Sequence, residues 1–289
     1  MSWRTIVISN RAKLDLQMGY MVVRGDKITK IHLGEIATLM VESTAVSITT
    51  SLLAELIKRK VNVIFCDEKR NPSSELISLY GSHDTSNKVR MQISWKDYTK
   101  EAVWTEIVTE KIRKQKTFLG LLGREEEAEL LSSYLTEIQW NDSTNREGHA
   151  AKVYFNALFG MDFTRTEDNN INAALNYGYT ILLSAFNREI VSNGYMTQFG
   201  LFHDNMFNHF NLASDFMEPF RVLVDQAVYN MRLDEFEHDK KMELVKILNN
   251  EVIIDNKVQY VSNAIKIYCK SIFDALNGDD CSLIRFYRL

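Results

Sequence analysis

The apolar pattern of this chain changes period once, and that change constrains the fold more than any other feature. Up to about residue 80 the apolar residues come in short runs rich in β-branched side chains. Residues 5–8, 20–24, 27–31, 36–41, 46–49 and 61–66 read as strands, with Gly25-Asp26 as a hairpin turn. Residues 75–80 can add another strand. One short helix, residues 50–60, interrupts them; Leu52, Leu53, Leu56 and Ile57 form its apolar side. The stretch 80–87 is polar and full of turn residues, and marks a boundary. Beyond it almost everything has helical spacing. A long helix over 88–118 carries Lys111, Arg113, Lys114 and Lys116 near its end. Those charges suit a helix C-terminus, and they can also contact phosphate. Further helices are expected at 145–160, at 170–193 with Gly194 closing it, and at 257–276. The fold class is α+β: an N-terminal β-rich domain, residues 1–81, followed by a larger all-α C-terminal domain, residues 82–289.

Composition narrows the function by exclusion. Apolar residues make up 45%, enough for a substantial core. No apolar run reaches the ~18 residues of a membrane span, and the N-terminus lacks the apolar core of a signal peptide. Cys66, Cys269 and Cys281 lack metal-site spacing and read as thiols of a reducing cytoplasm. The formal net charge of −4 means that any nucleic acid must be held by local basic patches. P-loop, Rossmann, nucleophile-elbow and zincin motifs are absent.

Three segments carry candidate chemistry. In residues 211–225, Asp215, Glu218 and Asp225 fall on one helical stripe, opposite Leu212, Phe216, Phe220 and Leu223. Pro219, one of two prolines, bends the helix beside the acids. The pattern fits either a metal site or a solvated acidic face with a harmless kink. Glu147 ends an inward stripe with Ala151, Tyr154 and Leu158, as a functional carboxylate or as an acid favoured at a helix start. His203, if helical, faces Met206, Phe207 and Phe210, as a ligand or a core residue. Glu235 and His238 have the Glu-x-x-His spacing of an iron site, but only one such motif is present, so they read as a charged surface turn.

In these three segments the chain resembles the integrase of CRISPR–Cas adaptation, the first-numbered of the universal Cas proteins. The matching pieces are Glu147-Gly148-His149-Ala150-Ala151-Lys152-Val153-Tyr154-Phe155, then Gly200-Leu201-Phe202-His203, then residues 212–221 with Asp225. The likeness extends over essentially the whole chain. Trp3-Arg4-Thr5 and Val63-Ile64-Phe65-Cys66-Asp67 resemble the members of type II systems. The resemblance implies a bacterial, cytoplasmic enzyme of antiviral defence, a metal-dependent DNA integrase and endonuclease. Its reaction is spacer acquisition: the 3′-hydroxyl ends of a short foreign fragment attack phosphodiesters of a CRISPR repeat. It implies Glu147, His203 and Glu218 as ligands of Mg²⁺ or Mn²⁺, with Asp215 assisting. Many members have an aspartate as third ligand, so the roles of Asp215 and Glu218 stay open here. It implies double-stranded DNA as partner, and a homodimer joined through the β-rich domain. It also implies a four-to-two complex with a small ferredoxin-like adaptation protein, and leaves room for a type II effector nuclease and an accessory adaptation protein.

Arg146, Lys152, Arg165 and Arg221 lie where they can neutralise DNA phosphates around the metal. Alanine at Glu147, His203 or Glu218 is expected to abolish joining and leave folding intact or improved, by relieving repulsion between like charges. The alternatives are a non-catalytic DNA-binding scaffold of a defence complex and a metallohydrolase of a small phosphoester.

Overall fold

A computed structural model describes residues 4–79, 81–231 and 233–288. Trp3 and Tyr80, which enter the readings above, lie outside the described residues. The strands are β1 (Arg4–Ile8), β2 (Ala12–Gln17), β3 (Tyr20–Arg24), β4 (Ile28–His32), β5 (Ile36–Val41) and β6 (Val46–Ile48). Helix α1 (Thr50–Lys58) and strands β7 (Asn62–Cys66) and β8 (Pro72–Leu76) complete this part. They make two four-stranded sheets, ordered β1-β5-β7-β8 and β4-β3-β2-β6. Strand β2 was not expected. It lacks β-branched residues, yet its alternation puts Leu14 in the core, and the Met18-Gly19 turn with both φ positive returns it to β3. The last strand of this part lies earlier than residues 75–80, starting at Pro72 on the sheet edge.

Strands β5 and β7 show why this part does not end at its own core. Leu39, Val41 and Val63 pack with Leu14, Met21, Leu52 and Leu56 between the sheets and α1. The alternate residues Met40, Ile64 and Cys66 face the other way and belong to the helical core. Strand β5 is buried along its whole length because it is covered on both faces.

The helices are α2 (Thr85–Ile93), α3 (Asp97–Leu121), α4 (Glu125–Glu137), α5 (Arg146–Phe159), α6 (Asn170–Ser192), α7 (Asn211–Met217), α8 (Arg221–Met231) and α9 (His238–Val245). Strands β9 (Glu251–Ile254) and β10 (Lys257–Tyr260) form a hairpin, and α10 (Val261–Gly278) follows. The expected helix over 88–118 is two, broken at Ser94–Lys96, where Trp95 turns in to reach Asn277. The hairpin interrupts the expected all-helical run; Asp255 and Asn256, both left-handed, form its turn. Helix α6 runs as expected, with Asn169 accepting from the Asn172 N–H at its start and Gly194 at φ +88° after its end. It is the central strut, packing on α7, α8, α9, α10 and the β7-β8 edge. Glu235 and Glu237 are exposed ahead of α9, as expected of a charged surface turn. The half-buried His238 sets its Nδ1 2.9 Å from the fully buried Glu42 carboxylate just after β5, which ties the helices to the sheet.

Candidate active site

Asp215, Glu218 and Asp225 are only 0%, 2% and 1% exposed, so the acidic stripe is no solvated face. A helix buried all round can carry acids only where each is paired or hydrogen-bonded. Pro219 makes the break expected of it. Residues Glu218–Phe220 tighten into a 3₁₀ turn between α7 and α8, and the Asp215 carbonyl accepts from the Glu218 N–H instead.

Glu218 leaves that turn pointing at α3 and α5. Lys111 of α3 sets its ammonium 2.5 Å from Glu218 Oε2 and 2.6 Å from Glu147 Oε1. Arg221, one turn on, takes Glu218 Oε1 at 2.9 Å. Burial raises the Glu218 carboxyl, but Arg221 and Lys111 together overcome it and hold it below the usual range. These cations also overturn the expected like-charge strain: the site is balanced by its own Lys111 and Arg221. Glu147 sits in the first turn of α5. Asp142 accepts from the N–H groups of Arg146 and Glu147 at 2.8 and 3.0 Å, and Asn145 caps Gly148, so the helix start is fixed from below.

His203 is not helical. It lies in the irregular connection between α6 and α7, and Asp215 builds that loop. The Asp215 carboxylate accepts the backbone N–H groups of Leu201, Phe202 and His203 at 2.6, 3.1 and 3.2 Å. Its Oδ1 also lies 2.5 Å from His203 Nδ1. Gly200 is required here: a Cβ would stand 2.2 Å from the His203 carbonyl oxygen and 2.8 Å from Asp215 Oδ2. Burial raises the Asp215 carboxyl, and these donated bonds oppose it. The bond to Asp215 in turn raises His203, with Glu218 and Glu147 adding to the effect across the site. With Nδ1 engaged, Nε2 is the remaining ligand atom of the ring. Trp104 fixes the other side, stacked on Phe202 at 4.7 Å and edge-on to His203 at 5.7 Å.

Among the described residues no three His, Cys, Asp or Glu side chains are gathered into a metal-holding group in this arrangement. The donor chemistry nevertheless fits a divalent ion. Two carboxylates from different helices already share one cation, and an imidazole oriented by a buried acid stands close enough to feel both. Asp215 is committed to the loop and the ring.

The four expected phosphate contacts divide. Arg221 belongs to the site and lies 4.7 Å from the centre of the Tyr179 ring. Arg165 meets the same ring at 5.4 Å and bonds to Asn172 and Asn176. Lys152 is exposed and lines, with Arg165, a cleft of about 480 Å³ walled by Phe155 and Phe163. Arg146 turns away to Glu137 at 2.8 Å. Trp104 was missed, and so were the roles of Lys111, named only as a possible phosphate contact, and of Gly200. The signal for Lys111 was present: it shares one face of α3 with Trp104, Ile107 and Val108, all fully buried, so it interrupts an apolar stripe.

Residues 5–245 match the family model described as CRISPR associated protein Cas1. The CRISPR-associated endonuclease Cas1 of Neisseria meningitidis serogroup C (strain 8013) is 34% identical over 264 residues, 89% of this chain and 86% of its own. Two solved structures share the fold. A casposase bound to its integration product has a TM-score of 0.76 at 18% identity, over 97% of this chain and 92% of that one. A Cas6-RT-Cas1–Cas2 complex gives 0.73 at 18% identity, with 97% of this chain on 36% of the longer one.

Proposed function

The chain belongs to the CRISPR-associated Cas1 family, and from that premise we propose that it is a metal-dependent DNA integrase and endonuclease of CRISPR adaptation. One observation carries the proposal. Glu147 and Glu218, from separate helices, share a buried cation beside a histidine that a third acid holds in place. The endonuclease name of the Neisseria relative and the integration product on the casposase support the same reaction class.

Glu147, Glu218 and His203 Nε2 would hold Mg²⁺ or Mn²⁺; the imidazole tilts preference toward Mn²⁺. Bound there, the ion would supply positive charge toward an attacking 3′-oxygen and the target phosphate and would offset the charge that develops on it. Asp215 keeps the ring in one tautomer and one orientation. Arg221 sets a fixed positive charge beside the place where phosphate charge builds. Lys152 and Arg165 track the DNA backbone along their cleft. No side-chain nucleophile is needed, because the DNA end supplies the attacking hydroxyl and one phosphodiester replaces another. The protein acts as a homodimer, and two such dimers flank a central dimer of a small ferredoxin-like partner; the Cas1–Cas2 content of the second structure supports a partner of that kind.

The test is joining of a labelled duplex to a repeat-bearing plasmid, with and without the small partner, with EDTA as control. Joining that EDTA abolishes is expected. Binding without joining under every condition would make the chain a scaffold instead, and neither binding nor joining would point to a small phosphoester.

A further inference from the structure

Both oxygens of Glu218 are engaged. Lys111 takes Oε2 and Arg221 takes Oε1, at 2.5 and 2.9 Å. The Lys111 ammonium also takes Glu147 Oε1, so it stands at the point on which the two carboxylates converge. A cation that binds both carboxylates must therefore compete with one that is already tethered there. Of the two resident cations, Arg221 is the harder to move. Its guanidinium is planar and lies over the Tyr179 ring, which is itself anchored through its hydroxyl 2.5 Å from Asp225. Lys111 has a compact ammonium on a flexible four-carbon stem. Among the described residues its charge is held in the buried stripe of α3 by these two carboxylates.

We infer that Lys111 is the resident counter-ion of this site: it keeps Glu147 and Glu218 in register, and a divalent ion displaces its ammonium in order to bind both. The inference rests on reading Glu147, His203 and Glu218 as an ion site. It makes Lys111 a positioning residue whose removal strengthens ion binding while loosening the ion-free site.

The experiment is Mn²⁺ binding followed by electron paramagnetic resonance on the full chain, for wild type, Lys111→Met, Lys111→Arg and Glu218→Gln. Lys111→Met should bind Mn²⁺ at least about tenfold more tightly than wild type, while Lys111→Arg, which keeps the charge, stays within about threefold. Glu218→Gln should lose the site. Equal or weaker binding by Lys111→Met, with Glu218→Gln impaired, overturns the inference and leaves the ion site standing. Wild-type binding by Glu218→Gln overturns the ion site and the inference together. A measurement on the wild type covers the case in which Lys111→Met does not fold. With ¹⁵N-lysine labelling, the Lys111 ζ resonance, assigned with Lys111→Arg, should shift on Mg²⁺ saturation. An unmoved Lys111 signal contradicts the displacement.

Discussion

At the residue scale the site is an arrangement of charges that cannot be altered singly without consequence. Glu218→Ala leaves Lys111 and Arg221 buried with less negative charge between them, which should cost stability rather than relieve strain. Glutamine is therefore the informative replacement. Asp215→Ala orphans three backbone N–H groups as well as the His203 ring, so its effect reaches the whole loop. Asp225 allows a pH test. Burial pushes its carboxyl from 3.8 up to about 6, so the fold favours the protonated form. That contribution is complete below the unfolded value and is lost as pH rises through about 6. At about 1.4 kcal/mol per unit, the ionised group costs on the order of 2–3 kcal/mol above that window. Asp225→Asn should then be more stable than wild type at pH 8, and the advantage should shrink as pH falls through about 6 and vanish only below the unfolded value of 3.8. Equal urea midpoints for the two proteins at pH 8 would contradict this. Glu147, His203, Asp215 and Glu218 were all legible as residues. Their partners were not, because Lys111 and Trp104 reach the site from a helix more than thirty residues upstream of Glu147.

At the element scale α3 and α6 do most of the positioning. Helix α3 brings Trp104 and Lys111 to His203 and to the two glutamates. Helix α6 carries the α7–α8 segment on its flank, and Gly178 sets the distance. A Cβ there would stand 2.4 Å from Val224 Cγ1. Gly178→Ala should push α8 outward and cost roughly 1–3 kcal/mol, as overpacking does. A thermal melt within 1 °C of wild type would show that the contact relaxes freely. The long helices and most strands were readable from period alone. The β9–β10 hairpin was not, since four-residue strands give too little period to separate from a helix. Whether 200–203 is helix or loop was left open for another reason: its order comes from one buried carboxylate twelve residues beyond His203, which no local pattern reveals.

At the scale of the whole molecule, the change of period near residue 81 marks two kinds of structure that share packing. We propose 1–81 and 82–289 as the domains. Even so, Met40, Ile64 and Cys66 are part of the helical core, and Asn62 and Glu75 bond to Ser184 across the junction. Urea should unfold the chain in one transition seen alike by tryptophan fluorescence and circular dichroism; two separated transitions would show that the shared face contributes little. With a net charge of −4, DNA affinity must come from local cations and should fall steeply with salt. Lys152→Ala should lower the slope of log affinity against log salt by about 1. An unchanged slope would remove Lys152 from the DNA path. The central claim, that Glu147, His203 and Glu218 act as one ion-dependent site, is tested most directly by single-turnover joining with Glu147→Gln, His203→Gln, Glu218→Gln and the Glu147→Gln, Glu218→Gln double variant. Groups that act as a unit are not additive. Each single variant should lose at least about a thousandfold in rate, with DNA binding kept, and the double variant should be little worse than either parent. A Glu218→Gln protein that joins DNA at the wild-type rate would contradict the account.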